Sequence, residues 1–280
     1  ENHPDTEIVG IDDLSGGYFE NVNPKITEFR KFNLVDGNIS GCFEEHKFDY
    51  VYHFAAYAAE GLSPFIRTYN YQNNLVATSR IITECIKHNV KRLVFTSTLA
   101  VYGHQDGNMF DEAQVPKPID PYGVAKYGCE MDIQIAGEQH GLDWCIIRPH
   151  NVYGRNQNIW DRYRNVLGIW MYQYINGLPF TIFGDGSQTR SFCFVDDLIE
   201  GMYRLMNSRN GFTGPVNIGN PGEFTMLELA QKIIEITESK SKLKFLPLPQ
   251  DDPMQRQPII DLARKELDWE PKVQLKEGLS

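Results

Sequence analysis

Tyr122 and Lys126 lie four residues apart in the pentapeptide Tyr-Gly-Val-Ala-Lys, and side chains at that spacing share one face of a helix. A free tyrosine has a pKa of about 10, so it acts as a base near neutral pH only if its phenolate is stabilised by roughly 3 pKa units, or about 4 kcal/mol. A fixed neighbouring cation supplies a shift of this kind. The pair therefore predicts a proton-transfer site with Tyr122 as the base.

Two hydroxyl residues, Ser97 and Thr98, lie upstream of this pentapeptide. They follow the apolar run 92–96, which is typical of a buried strand in a parallel sheet. Sites in open α/β sheets lie at the carboxyl ends of the strands, so we expect a hydroxyl here to hydrogen-bond a reacting oxygen. The Tyr-x-x-x-Lys motif alone is weak, because about one chance match is expected in a chain with this many tyrosines and lysines.

The composition is that of a soluble enzyme. The chain has 280 residues, of which 41% are hydrophobic and 23% charged, enough for one large domain or a domain with a smaller lobe. A formal net charge of −10 argues against a general nucleic-acid or membrane-surface partner, because both are polyanions. The five cysteines are odd in number and form no metal-binding CxxC pair, so we expect reduced thiols in a cytoplasmic protein.

Strand-like and helical stretches alternate along the first half of the chain. Strands are predicted at 7–11, 50–54, 93–96 and 144–147, and helices at 68–88 and 122–140. This alternation is typical of an α/β fold with a doubly wound parallel sheet. In the second half, helices are predicted at 163–175, 196–206 and 226–238 and a strand at 180–183, which indicates a smaller α+β lobe. We place a first domain at 1–150 and a second at 151–280.

Three segments carry a resemblance to a known family: residues 95–103 (FTSTLAVYG), the Tyr122 pentapeptide and residues 148–154 (RPHNVYG). With them the chain resembles the extended short-chain dehydrogenase/reductase family, and within it the nucleotide-sugar epimerases of the UDP-glucose 4-epimerase type. The resemblance extends from residue 8 to residue 269. It implies a Rossmann-type domain that binds NAD, a UDP-sugar substrate, and a homodimer paired through helices 68–88 and 122–140.

The resemblance also implies a first strand, a glycine-rich turn and a helix that this sequence does not contain. In such folds the amino end of that helix holds the pyrophosphate. The sequence starts with Glu1 at what resembles the second strand of the family's sheet, so we expect the first βα unit to be absent here and present in a longer natural chain. The alternative is a truncated protein that no longer binds a dinucleotide.

By resemblance, the cofactor residues follow the predicted strands. An acidic side chain at Asp12 accepts hydrogen bonds from the adenosine ribose and repels a 2′-phosphate, which favours NAD over NADP. Asn33 stands where the family usually has aspartate. For Asp12 the alternative interpretation is an acidic turn after a strand, and for residues 53–56 it is plain strand packing. The implied NAD-binding residues are Asp12, Ser15, Asn33, Leu34, Phe54, Ala55, Ala56, Asn73, Tyr122 and Lys126.

A second set of residues resembles the family's substrate pocket. Phe183 is expected to pack on uracil and Arg190 to bind phosphate through its planar guanidinium, with a core aromatic and a surface arginine as the alternatives. Asp251 falls near the position of a second family arginine, so Arg256 is expected to replace that arginine. The implied substrate-binding residues are Thr98, Asn151, Asn165, Val166, Thr181, Phe183, Arg190 and Arg256.

The catalytic residues implied by the resemblance are Thr98, Tyr122 and Lys126. Ser97 is a neighbouring alternative to the threonine. Leu99 and Ala100 occupy positions where the family's dehydratases and decarboxylases carry an acidic residue, so the simplest reaction is oxidation at carbon 4 followed by reduction, with NAD kept bound. We therefore expect a UDP-hexose 4-epimerase. The alternatives are another nucleotide-sugar epimerase or reductase of this family and a truncated, non-catalytic nucleotide-binding module.

Overall fold

The computed structural model describes residues 5–105, 109–161, 163, 165–247 and 257–279. Its strands are β1 (Val9–Asp12), β2 (Glu28–Lys31), β3 (Tyr50–His53), β4 (Arg92–Thr96), β5 (Met109–Phe110), β6 (Trp144–Pro149), β7 (Val152–Tyr153), β8 (Phe180–Phe183), β9 (Thr189–Ser191), β10 (Cys193–Phe194), β11 (Val216–Ile218), β12 (Glu223–Thr225), β13 (Leu243–Leu246) and β14 (Gln257–Pro258). Its α-helices are α1 (Ile39–His46), α2 (Arg67–Tyr71), α3 (Ala77–Lys87), α4 (Pro121–His140), α5 (Val166–Ile175), α6 (Val195–Met206), α7 (Met226–Thr237), α8 (Asp261–Leu267) and α9 (Leu275–Leu279).

A four-stranded parallel sheet in the order β11-β6-β4-β3 forms the centre of the molecule. β1 and β2 form a second parallel pair. Alternate residues of β4 and β6 face opposite sides of the sheet, as the period of an extended strand requires. Val94, Cys145 and Ile147 face one hydrophobic cluster, and Leu93, Phe95 and Ile146 face the other.

Helices cover both faces of this sheet. α6 and α8 contribute to the cluster on one face, while α1, α3 and α4 contribute to the cluster on the other. A parallel sheet buried on both faces by helices is the doubly wound architecture. The predicted α/β fold class is therefore confirmed.

The second half of the chain contributes to two cores. α5, α7 and α9 pack around the parallel pair β8–β13, where Trp170 and Phe180 stack with their ring centroids 5.7 Å apart. α6, α8 and β11 instead return to the central sheet. None of the described helices has the length and apolar character needed to cross a membrane.

Local capping signals place α4, which carries the Tyr-x-x-x-Lys pair. The side chain of Asp120 accepts a hydrogen bond of 2.9 Å from the backbone N–H of Gly123, and Pro121 occupies the first helical position. The helix ends at Gly141, whose φ of 72° lies in the left-handed region. These caps put Tyr122 and Lys126 in the first two turns of the helix.

Candidate active site

Lys126 is buried at the carboxyl end of β4. Its Nζ donates a hydrogen bond of 2.8 Å to the backbone oxygen of Thr96 and lies 4.6 Å from the centre of the Phe95 ring. The side chain is 1% exposed, and this burial lowers the pKa of Lys126 to about 8, against smaller opposing effects of Cys129 and Glu130. The ammonium is thus held at a fixed point beside the sheet edge.

Tyr122 is also buried, and its backbone is fixed from two directions. Its N–H donates a hydrogen bond of 3.2 Å to the hydroxyl of Ser63, and the Asn70 amide donates one of 2.9 Å to the preceding carbonyl of Pro121. Both of these side chains are at most 1% exposed. The start of α4 is therefore anchored to the segment before α2 and to α2 itself.

A π-helical turn, Gln72–Val76, joins α2 to α3 and supports this anchoring. The buried Asn74 amide donates to Oδ1 of Asn70 at 2.9 Å, and its own Oδ1 accepts from the backbone N–H of Tyr57 at 3.0 Å. π turns shift the helical register by one residue and are frequent at functional sites. Here the turn aligns two asparagines between the loop after β3 and the start of α4.

The two hydroxyls after β4 point in different directions. Ser97 is 2% exposed, and its hydroxyl donates a hydrogen bond to the carboxylate of Glu130 in the interior. Thr98 is half-buried, and its Oγ1 accepts a hydrogen bond of 3.2 Å from the backbone N–H of Ala100. Leu99 is buried, as is Ala100. Of the two hydroxyls, only that of Thr98 is partly accessible at this end of the strand.

A buried ion pair behind these residues was not predicted from the sequence. Arg148 donates to the Glu130 carboxylate through Nε at 3.0 Å and through Nη2 at 2.6 Å. The same guanidinium lies 4.7 Å from the centre of the Tyr102 ring. Two features of the sequence could have indicated the pair: Glu130 falls one helical turn after Lys126, and Arg148 interrupts an apolar strand.

The loop after β1 gathers several of the predicted cofactor residues. Oδ1 of Asp12 accepts a hydrogen bond of 2.6 Å from the backbone N–H of Leu14, and Oδ1 of Asp13 accepts one of 2.8 Å from that of Ser15. Leu14 adopts a left-handed φ of 59°. Asn33, which follows the neighbouring β2, donates to Oδ2 of Asp13 at 2.7 Å. The structure thus brings Asp12, Ser15 and Asn33 to one edge and adds Asp13 to them.

The other predicted cofactor residues lie around the same edge. The Leu34 carbonyl accepts a hydrogen bond from Arg80, and Oδ1 of Asn73 lies 3.4 Å from Nδ2 of Asn33. Phe54 follows β3 and is exposed, while the next two residues, Ala55 and Ala56, are half-buried.

These residues fit a bound dinucleotide. Oδ2 of Asp12 accepts no hydrogen bond from any described residue, so a carboxylate oxygen remains for a ribose hydroxyl. Ala55 and Ala56 present only methyl groups at the end of β3, which leaves room for a ligand to approach the backbone there. Lys126 supplies a buried cation at the end of the adjacent strand.

The predicted substrate residues fall into two groups. Asn151 follows β6 at the same sheet edge and donates to the carbonyl of Ser191 at 3.0 Å. Asn165 caps α5 by accepting from the backbone N–H of Gly168 at 3.2 Å and donates to the carbonyl of Val152 at 2.7 Å. Val166 is the first residue of that helix.

The second group lies on β8 and β9. Oγ1 of Thr181 accepts a hydrogen bond of 2.9 Å from Gln173, so this side chain is engaged by α5. Phe183 is 41% exposed at the end of β8, and Arg190 on β9 donates to the carbonyl of Thr189 at 2.7 Å. Arg256 and Asp251 lie outside the described residues.

Known proteins resemble this chain over nearly its whole length. It is 35% identical over 289 residues to UDP-glucuronic acid decarboxylase 3 of Arabidopsis thaliana. The aligned region covers 98% of this chain and 79% of the relative. A solved UDP-glucose 4-epimerase of Thermotoga maritima with UDP-glucose superposes with a TM-score of 0.93 at 29% identity, covering 99% of this chain and 90% of that one. A Thermus thermophilus UDP-glucose 4-epimerase complex with NAD gives a TM-score of 0.89 at 27% identity, covering 98% and 88%.

The sequence model described as the NAD dependent epimerase/dehydratase family matches residues 1–219. The predicted Rossmann-type fold and the NAD cofactor are confirmed by these similarities. The chain belongs to the NAD-dependent epimerase/dehydratase family.

Proposed function

We propose that this protein inverts carbon 4 of a UDP-hexose through a transient 4-keto sugar. The substrate class is UDP-glucose and UDP-galactose or their N-acetyl forms. One observation carries the proposal: the half-buried Thr98 follows β4, Lys126 of the Tyr122–Lys126 pair hydrogen-bonds the last carbonyl of that strand, and positions 99 and 100 supply only apolar side chains. Such a site supports oxidation and reduction at one carbon and offers no acid there for further elimination.

Tyr122 removes the proton from the sugar 4-hydroxyl as the hydride leaves carbon 4. Thr98 hydrogen-bonds the same oxygen and keeps it next to the phenol. Lys126 holds the nicotinamide ribose and places a positive charge beside the phenolate. Bound NAD would supply the reversible hydride acceptor for this chemistry. The 4-keto sugar turns about its diphosphate linkage before the hydride returns to the other face, and Tyr122 gives its proton back to the oxygen.

The sugar turns while its nucleotide stays bound, so the anchoring contacts are made to UDP. The exposed ring of Phe183 packs on uracil. Arg190 and Arg256 bind the diphosphate together with Asn165 and Val166, while Thr181 completes the uracil pocket. Asn151 contacts the sugar. The identity of the bound nucleotide in the solved relatives supports UDP, since UDP-glucose is bound in one of them.

UDP-glucuronate decarboxylation is the second candidate, because a relative at 35% identity carries that name. Oxidation at carbon 4 of a uronate gives a ketone β to the carbon 6 carboxylate, and loss of CO₂ follows from that arrangement. The two reactions therefore share their first step and the same Tyr122–Lys126 pair. The apolar side chains of Leu99 and Ala100 favour the epimerase.

An NMR time course separates these reactions. The full chain is incubated with UDP-galactose, UDP-N-acetylgalactosamine or UDP-glucuronate, and the Tyr122→Phe variant is run beside it. We expect inversion at carbon 4 of one hexose, abolished in the variant, with no CO₂ released from the uronate. Conversion of UDP-glucuronate to a UDP-pentose without hexose inversion would replace the proposal by the decarboxylase.

We also propose a homodimer in the cytosol. Neighbouring helices α2 to α4 expose an apolar surface, formed by Tyr69, Val76, Val124, Met131 and Ile135, each 41–46% exposed. A second copy paired through these helices covers that surface. All five cysteines are buried free thiols, which fits a reducing compartment. Light scattering of the wild type and of Met131→Glu tests the dimer, with a monomeric variant expected.

A further inference from the structure

Asn33 stands where the family resemblance leads us to expect aspartate, and its amide has a specific set of contacts. Nδ2 donates a hydrogen bond of 2.7 Å to Oδ2 of Asp13. Oδ1 accepts one of 2.7 Å from the backbone N–H of Val35, and Nδ2 also lies 3.4 Å from Oδ1 of Asn73. Since an amide has one donor side and one acceptor side, these contacts define which way it points.

The Asp13 carboxylate is shared between this amide and its own loop. Its Oδ1 accepts a hydrogen bond of 2.8 Å from the backbone N–H of Ser15, while Oδ2 accepts the one from Asn33. Asp13 thereby ties the turn after β1 to the end of β2. Asp12, the predicted ribose ligand, lies directly before it in that turn and stabilises the left-handed Leu14.

We propose that Asn33 is a positioning residue that holds Asp13, and with it the ribose-binding turn, and that Asp13 and Asn33 form one carboxylate–amide pair whose two members are exchangeable. The inference rests on NAD binding and not on the choice between the two sugar reactions. It accounts for the asparagine at position 33: a second carboxylate there would offer Asp13 no donor and would repel it.

Single substitutions break the pair in different ways. Asn33→Asp puts two carboxylates at a separation where the amide now donates at 2.7 Å, so they repel each other. In Asp13→Asn an NH₂ group replaces one carboxylate oxygen, while the N–H of Ser15 and the amide of Asn33 donate to different oxygens of Asp13. One of these hydrogen bonds must be lost, and the turn loses one of its anchors.

Exchanging the two residues restores the pattern. In the double variant Asp13→Asn with Asn33→Asp, the amide now at position 13 accepts from the N–H of Ser15 and donates to the carboxylate now at position 33. That carboxylate still accepts from the N–H of Val35. The three contacts of 2.7–2.8 Å are therefore regained, and only the 3.4 Å contact with Asn73 is given up.

Calorimetric titration of the full chain with NAD tests the pair. We expect Asn33→Asp to weaken NAD binding about tenfold, Asp13→Asn to weaken it by a smaller factor, and the exchanged double variant to bind within about threefold of wild type, as coupled neighbours do. Asp36→Asn removes one exposed carboxylate from the next turn and is the matched control, with unchanged affinity. Thermal unfolding without NAD separates a loss of binding from a loss of folding.

Each result decides the question. Wild-type affinity in Asn33→Asp, or a double variant no better than the product of the single effects, would overturn the pair. A wild-type chain that binds no NAD would overturn both the pair and the reaction proposal. Wild-type NAD binding without sugar turnover would overturn the reaction proposal alone.

Discussion

The guanidinium of Arg148 donates two hydrogen bonds, of 3.0 and 2.6 Å, to the carboxylate of Glu130, and both side chains are at most 6% exposed. The same carboxylate accepts from Ser97 and lies one helical turn after Lys126. Glu130 is therefore paired directly with Arg148, and its charge also favours the ammonium form of the buried Lys126. Removing one partner of a buried pair leaves an uncompensated charge, which costs about 3–5 kcal/mol.

Glu130→Gln is expected to lower the stability of the fold. It should also make activity disappear at a lower alkaline pH than in wild type. The groups that act on Lys126 are His53 from β3 and Cys129 and Glu130 from α4, of which Glu130 favours the ammonium. Without that charge the pKa of Lys126 falls below about 8, so the alkaline limb of kcat/KM moves to lower pH.

Urea unfolding and a pH–rate profile of Glu130→Gln check these two effects, with the exposed Glu138→Gln as the control on the same helix. An unchanged profile in a destabilised variant would reduce Glu130 to a purely structural role.

Lys126→Met is expected to inactivate the protein and stabilise it. Burial lowers the pKa of Lys126 from 10.5 to about 8, so below pH 8 the folded state bears the full cost of the buried ammonium. At pH 7 the variant gains about 2 kcal/mol, after the lost hydrogen bond to Thr96 is subtracted. Its activity falls at least about 100-fold.

The gain from Lys126→Met has a pH signature. Between pH 8 and 10.5 the unfolded chain binds more protons than the folded one, so wild-type stability rises with pH. The difference in unfolding free energy between Lys126→Met and wild type therefore shrinks. Unfolding measurements at pH 7 and pH 10 test this, and a difference that stays constant across that window would contradict the buried ammonium.

His53 is expected to make the fold acid-sensitive. It is 3% exposed, and burial together with Lys126 lowers its pKa to about 3. The Thr78 hydroxyl donates to the carbonyl of Asn74, so it accepts from Nε2–H of His53 at 2.9 Å and fixes the neutral ring. As the pH falls below about 6.5 the unfolded histidine takes up a proton first, and about 1.4 kcal/mol of stability is lost per pH unit.

The variant His53→Gln keeps a donor for Thr78 but cannot titrate. Between pH 7 and pH 5 its unfolding free energy should fall by about 2 kcal/mol less than that of wild type. His140→Gln, at an exposed position, serves as the control. Parallel pH dependence in wild type and His53→Gln would rule out this source of acid sensitivity.

Removing the hydroxyl of Thr98 is expected to lower activity, whereas removing that of Ser97 is expected to lower stability. Thr98→Val removes the hydrogen bond to the reacting oxygen and should lower kcat about 100-fold, while Thr98→Ser retains most activity. Ser97→Ala leaves the reacting oxygen alone and should mainly lower the thermal stability, because it removes a partner of Glu130. Steady-state kinetics with thermal unfolding distinguishes the two, and a larger kcat loss in Ser97→Ala would assign the reacting contact to Ser97.

Much of the fold could be predicted because its signals are local. The strands predicted at 50–54 and 93–96 agree with β3 and β4 within one residue, since both are short runs rich in apolar and aromatic side chains, although only β4 is buried along its length. The helix predicted at 122–140 begins one residue early, at Pro121. The helix predicted from 163 begins at Val166, because Asn165 caps it.

The unpredicted features depend on distant residues. Glu130 and Arg148 are 18 positions apart in sequence and meet only when α4 packs on β6. The single helix predicted at 68–88 is interrupted by the π turn, which the hydrophobic spacing of the segment does not reveal. Asn33 and Asp13, 20 positions apart, meet only because β1 pairs with β2.

The π turn between α2 and α3 also makes the length of that segment critical. Deleting one residue from Gln72–Val76 would return the turn to α-helical spacing and rotate α2 by about 100° against α3. Asn70 would then leave the carbonyl of Pro121, and the start of α4 would lose its tether. This stretch therefore tolerates a change of side chain at its exposed positions far better than the gain or loss of a single residue.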